Sequence, residues 1–181
     1  RAYFFSLFVL KLKHMKKIQM VDLKSQYDFI RKEVAASMES VFETSSYING
    51  PMVQEFQKEL ELYVGVKHVI PCANGTDALQ IALMGLELKP GDEIITADFT
   101  FAATVEVISL LHLKPVLVDV HPRTFNIDPE AIEKAITKKT KAIIPVHLFG
   151  QCAEMAEILR IAEKYNLYVV EDNAQGIGAT Y

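Results

Sequence analysis

The sequence predicts an α/β fold, a parallel-dominated sheet with helices on both faces. Apolar strand-like runs begin near Lys67, Glu93, Pro115, Lys141 and Leu167. Helical patterns fill the gaps between them, at Thr76–Leu86, Phe101–Leu113, Pro129–Ala135 and Ala153–Tyr165. The runs at 141–147 and 167–171 are continuously apolar rather than alternating, as expected of strands buried on both faces. Strand and helix in strict alternation imply parallel strands joined by right-handed crossovers. The turn signals Lys89-Pro90-Gly91-Asp92 and His121-Pro122-Arg123 separate the units.

Two helices are expected before the sheet. Val21–Ser25 reads as a short mixed segment. Tyr27–Thr44 carries Ile30, Val34, Ala35, Met38, Val41 and Phe42 on one stripe, the pattern of an amphipathic helix. Tyr47-Ile48-Asn49-Gly50-Pro51 reads as a turn, with Pro51 suited to the first turn of a second helix. Val53, Phe56, Leu60 and Tyr63 line one face of that helix, and Gly65 is its stop signal.

The chain has 181 residues, half of them hydrophobic, enough for one sizeable core. Its formal charge is −4, which gives no support to a nucleic-acid partner. Cys72 and Cys152 form no disulfide framework and lack metal-ligand spacing, so no metal and a cytoplasmic setting are expected. Tyr3–Leu10 is too short an apolar run to span a bilayer. No signal-peptide cleavage site follows it, and no membrane association is read. Met15 is the first methionine. Residues 1–14 are taken as an extension, with an arm docking on a partner as the alternative. Residues 15–66 then form an N-terminal arm with helices, and 67–181 a partial sheet domain.

In parallel sheets, ligands sit beyond the carboxyl ends of the strands. The segments of interest are Asn74–Asp77, Phe99–Thr104, Asp119–Phe125, His147–Gln151 and Asp172–Gln175. Gly75 permits a sharp turn and close approach to a ligand. Thr76 and Asp77 are residue types that cap helices, and a helix N-terminus receives phosphate. An ordinary capped connection would look the same. Asp172 ends a buried strand, where a carboxylate needs a partner, such as a ligand cation or a protonated ring nitrogen. A capping aspartate is the alternative. Gln175 can reach the same ligand or be an ordinary polar residue facing solvent. Phe101 can lie flat on a planar group or belong to the core. His147 can be an acid–base group or, on the favoured reading, a hydrogen-bonded structural residue. Asp119 and Asp128 can be turn formers.

In order along the chain, these motifs resemble the DegT/DnrJ/EryC1/StrS family of pyridoxal-phosphate (PLP) sugar aminotransferases. The resemblance runs from about Val21 to Tyr181. It rests on Tyr47–Pro51, Asn74–Leu79, Pro90–Glu93, Thr100–Thr104, Pro115–Val120, Asn126–Pro129, Thr140–Gln151 and Glu171–Gln175. Residues 72–81 and 150–153 look most like the UDP-2-acetamido-2-deoxy-3-oxo-glucuronate aminotransferases. The resemblance implies the aspartate aminotransferase-like large domain, fold type I, truncated, with one strand of the whole sheet antiparallel. It implies pyridoxal 5′-phosphate as cofactor, a nucleotide keto-sugar and an amino-acid donor as substrates, and a homodimer whose interface includes Tyr27–Gly65. Carried over by position, Gly75 and Thr76 would hold the cofactor phosphate and Phe101 would cover the ring. Asp172 would pair with the pyridine nitrogen, and Gln175 would bond the phenolic oxygen. The family's Schiff-base lysine matches no lysine of this chain, so the 181 residues are expected to be inactive alone. A non-catalytic PLP-binding regulator and a sugar dehydratase are the competing expectations.

Overall fold

The computed structural model describes residues 21–181; the expectations for residues 1–14 and for the run at Tyr3–Leu10 lie outside them. The chain divides into two compact units between Phe56 and Gln57. In the first, α1 (Leu23–Thr44) is a 22-residue helix with none of its residues buried. It starts within the segment expected to be irregular because Asp22 caps it. The Asp22 carboxylate accepts from the Ser25 amide at 3.1 Å and the Ser25 hydroxyl at 2.7 Å. Helix α2 (Pro51–Val64) begins at Pro51 in the first unit and ends in the second. It ends at Gly65, whose φ of +74° lies in the left-handed region that glycine tolerates.

The second unit contains the sheet. Its strands are β1 (Glu93–Ala97), β2 (Lys114–Val118), β3 (Thr140–Ile144) and β4 (Tyr168–Val169). They pair in the order β2-β1-β3-β4, all parallel. Helices α3 (Gly75–Gly85), α4 (Ala102–Leu110), α5 (Pro129–Ala135) and α6 (Met155–Tyr165) connect and cover them. Successive strand residues feed opposite faces. Ile94, Ala142 and Ile144 pack with Leu79, Leu83, Val107 and Ile108 of α3 and α4. Ile95, Ala97 and Ile143 pack with Ile132, Ile158 and Ile161 of α5 and α6. Each such fully buried isoleucine contributes roughly 1.5–3 kcal/mol. The expected α/β architecture, with helices on both faces, is the one observed.

The strand expected at Lys67 is not formed. Ile70 is 75% exposed, and the Val69 amide donates to the Glu61 side chain at 3.2 Å instead of to a neighbouring strand. Extended backbone before Pro71 is what proline imposes on its predecessor; without a partner it is not a strand.

The amino ends of the strands are tied by Glu93, which is buried. Its carboxylate accepts from the Thr137 hydroxyl and from Lys114 Nζ at 2.9 Å. The Thr137 bond first, then Lys114, holds its carboxyl below the usual value. At the opposite end the Asn126 side chain gathers a loop. It accepts from the Leu148 amide at 3.1 Å and donates to the carbonyls of Gln151 and Cys152 at 3.0 and 3.1 Å. The outer strands leave Leu117 and Tyr168 about half exposed, so apolar surface lies open at the sheet edges.

Candidate functional site

The carboxyl ends of the strands surround a cavity of about 210 Å³ lined by Gly75, Thr76, Leu79, Phe101, Ala103, Val146, Asp172, Ala174 and Gln175. The five residues that the resemblance assigns to the cofactor, Gly75, Thr76, Phe101, Asp172 and Gln175, meet there, although Gly75 and Gln175 lie 100 positions apart.

Helix α3 presents its amino end to this cavity. The capping residue is Asn74, not Thr76 or Asp77 as the residue types suggested. The Asn74 side chain accepts from the Asp77 amide at 2.9 Å, and its Nδ2 donates to the Asp77 carboxylate at 3.2 Å. The first backbone bond of the helix runs from the Ala78 amide to Asn74 O at 3.0 Å. The amides of Gly75 and Thr76 come before that bond and have no acceptor among the described residues. Gly75 is also not needed for a tight turn: its φ is not positive, and an added Cβ would meet nothing within 4 Å. The open space above it is therefore available to a ligand, beside two free amides at the positive end of the helix dipole.

Phe101 occupies the cap position of α4 without making a side-chain cap bond. Its ring is 72% exposed, so the core does not account for it. Asp172 prolongs the pairing of β3 with β4: its amide donates to Pro145 O at 2.9 Å, and its carbonyl accepts from the His147 amide at 3.1 Å. Its side chain is buried, at 7% exposure, and lines the cavity without a cationic partner among the described residues. The Thr104 hydroxyl donates to Asp172 Oδ2 at 2.7 Å, and the Ala174 amide reaches Oδ1 at 3.3 Å. Gln175 Oε1 accepts from the Phe149 amide at 2.7 Å, which leaves the Nε2 end as a donor.

The other candidates are structural. His147 is 2% exposed. Its Nδ1 accepts from the Ala153 amide at 3.1 Å, and its Nε2 pairs with Glu171 at 2.7 Å. With Nδ1 an acceptor, the proton sits on Nε2, and neither nitrogen is free for acid–base work. Asp119 accepts from the Val120 amide and Asp128 caps α5 through the Glu130 amide, both as turn formers. Cys72 and Cys152 are free thiols. No metal-holding cluster occurs, and no helix is long and apolar enough to cross a membrane, among the described residues.

Sequence reasoning missed Thr104 and Asn126. The signal for Thr104 was a hydroxyl on the buried stripe of α4, between Ala103 and Val107, where it must find an acceptor.

The fold and site define a parallel α/β protein with a helix amino end, an exposed ring and a buried carboxylate that lacks a cationic partner among the described residues, all on one cavity. Comparisons with known proteins narrow that class. The family model for DegT/DnrJ/EryC1/StrS aminotransferases matches residues 28–181. The UDP-2-acetamido-2-deoxy-3-oxo-D-glucuronate aminotransferase of Pseudomonas aeruginosa is 51% identical over 91% of this chain and 46% of its own. The structure of S. venezuelae DesV superposes with a TM-score of 0.88 at 36% identity, over 91% of this chain and 44% of that one. NtdA of Bacillus subtilis, with bound cofactor PMP, gives 0.88 at 38% identity, over 92% and 39%. The chain belongs to the DegT/DnrJ/EryC1/StrS aminotransferase family. It spans less than half the length of the relatives it matches.

Proposed function

We propose that this chain is the cofactor-holding part of an enzyme that moves an amino group from glutamate to a nucleotide-linked keto-sugar, of the UDP-2-acetamido-2-deoxy-3-oxo-glucuronate type, in the cytoplasmic synthesis of cell-surface sugars. The observation that carries the reading is the meeting of Gly75, Thr76, Phe101, Asp172 and Gln175 on one cavity. The cofactor is pyridoxal 5′-phosphate, which carries the amino group and acts as an electron sink. The Gly75 and Thr76 amides hold its phosphate, and the exposed ring of Phe101 covers its plane. Asp172 holds a proton on the pyridine nitrogen, because a buried carboxylate is stabilised by a cation within hydrogen-bond reach. Gln175 Nε2 donates to the ring oxygen.

None of the lysines among the described residues lines the cavity, so the nucleophile that would bind the cofactor covalently is not supplied by these residues. The test uses two proteins. In the present chain, pyridoxal phosphate should bind weakly, and borohydride reduction should leave no covalent label at the site. In a full-length version, Asp172→Ala should retain some cofactor but lose nearly all transfer. Turnover of a keto-sugar nucleotide by the 181-residue chain alone would overturn the reading of its missing nucleophile. Unaltered transfer by the Asp172 variant would overturn the cofactor assignment.

A further inference from the structure

The only polar side chain that bonds the Asp172 carboxylate belongs to Thr104, among the described residues. An ionised carboxylate only accepts hydrogen bonds, so the Thr104 hydroxyl spends its single proton on Asp172 Oδ2, at 2.7 Å. The Thr100 and Thr104 hydroxyls are 3.0 Å apart. With the Thr104 proton committed, Thr100 must be the donor of that second bond. The result is a directed chain, Thr100 to Thr104 to Asp172, that starts at a partly exposed residue and ends on a buried one. Each bond polarises the next. Thr104 is fully buried within an otherwise apolar stretch of α4, where valine would fill the same space without the hydroxyl.

We infer that Thr104, backed by Thr100, is a positioning residue that holds the Asp172 carboxylate turned so that its remaining lone pairs face the ligand ring nitrogen. The inference rests on the proposed pairing of Asp172 with that nitrogen. Two arrangements compete inside a buried pair. In one, the proton is bonded to the ring nitrogen and Asp172 is charged. In the other, the N–H bond has broken, the proton is bonded to the carboxylate, and both groups are neutral. Burial favours the neutral arrangement. A hydrogen bond donated to the carboxylate favours the charged one. The Thr104 bond, shorter than the one from the Ala174 amide, thus favours the proton on the ring nitrogen.

The test uses the 181-residue chain and pyridoxamine 5′-phosphate isotopically labelled at the ring nitrogen, with affinity by calorimetry and proton position by the nitrogen chemical shift. The wild-type chain should bind the probe with its ring nitrogen protonated. Thr104→Val should move the shift toward that of a neutral pyridine and weaken binding about tenfold, the worth of one charge-assisted hydrogen bond. Thr104→Ser should restore both. Thr100→Val, which leaves Thr104 in place, should move the shift the same way by less. This variant also carries the test if valine at 104 unfolds the chain. A bound Thr104→Val with the wild-type shift, or an unshifted Thr100→Val, overturns the role given to these hydroxyls. Asp172→Asn separates the two levels. If it leaves the shift of the bound probe unchanged, or if wild type does not bind the probe, the cofactor reading fails and the inference with it. If it alters the shift while the threonine variants do not, only the inference fails.

Discussion

Asn126→Ala should destabilise the second unit by about 3 kcal/mol, the sum of one buried amide left without an acceptor and two weaker losses. Asn126 is 3% exposed and makes three bonds to backbone between Leu148 and Cys152. The Leu148 amide is buried, so its lost acceptor accounts for about 1–3 kcal/mol. The carbonyls of Gln151 and Cys152 are nearer solvent; water replaces part of their bonding, so each loses only about 0.5 kcal/mol. Urea denaturation should show a lower midpoint at unchanged slope, the signature of altered stability rather than altered compactness. Hydrogen exchange at Leu148 should quicken before that of the central strands. Asn126→Asp refines the test. An ionised carboxylate still accepts from Leu148 but faces two carbonyl oxygens. Protonation restores a donor, so the deficit of this variant should shrink as pH falls through its pKa. A loss below about 1 kcal/mol for Asn126→Ala would refute the claim that this side chain holds the loop.

Glu93→Gln should cost about 1 kcal/mol at neutral pH, discounted for the exposure of Lys114. Because Thr137 and Lys114 depress the Glu93 pKa, its contribution is present above the ordinary carboxylate range. It is lost as pH falls through the native value, so melting curves of variant and wild type should converge in acid; a constant gap would refute the assignment. The full-length protein should sediment as a homodimer, because α1 carries Leu23, Tyr27, Phe29, Met38 and Phe42 exposed; a clean monomer at high concentration would count against that interface.

The sheet was legible wherever an apolar run had a neighbour to pair with. Glu93–Ala97 and Thr140–Ile144 are almost wholly buried, and their composition states as much. The run ending at Ile70 has the same composition but no neighbouring strand, and single-chain hydropathy carries no information about neighbours. The meeting of Gly75, Thr76, Phe101, Asp172 and Gln175 on one cavity was legible because the parallel topology forces strand ends together. The bonding there was not. Which residue caps α3 depended on backbone angles at Asn74 (φ −165°, ψ 175°), a cap type two residues before the pair that the sequence suggested. The partners of Thr104 and Asn126 lie 68 and up to 26 positions away, beyond any periodic pattern.

The short bond from the Phe149 amide to Gln175 Oε1 has a consequence for selectivity. Phe149 is held in a left-handed conformation, φ +55°, so its amide points where few residues would aim one. That amide occupies the only electron-rich atom of the Gln175 side chain. Donors at the Gly75 and Thr76 amides and at Gln175 Nε2 then face the cavity together with the acceptor carboxylate of Asp172. On the proposed reading, such a surface suits a ligand that is acidic at two places and basic at one. A ring oxygen that has lost its proton would accept strongly from Gln175 Nε2, whereas a hydroxyl that keeps its proton would accept more weakly through its lone pairs. A neutral look-alike of the right shape should therefore enter the same hole and be held less tightly than the ionised ligand.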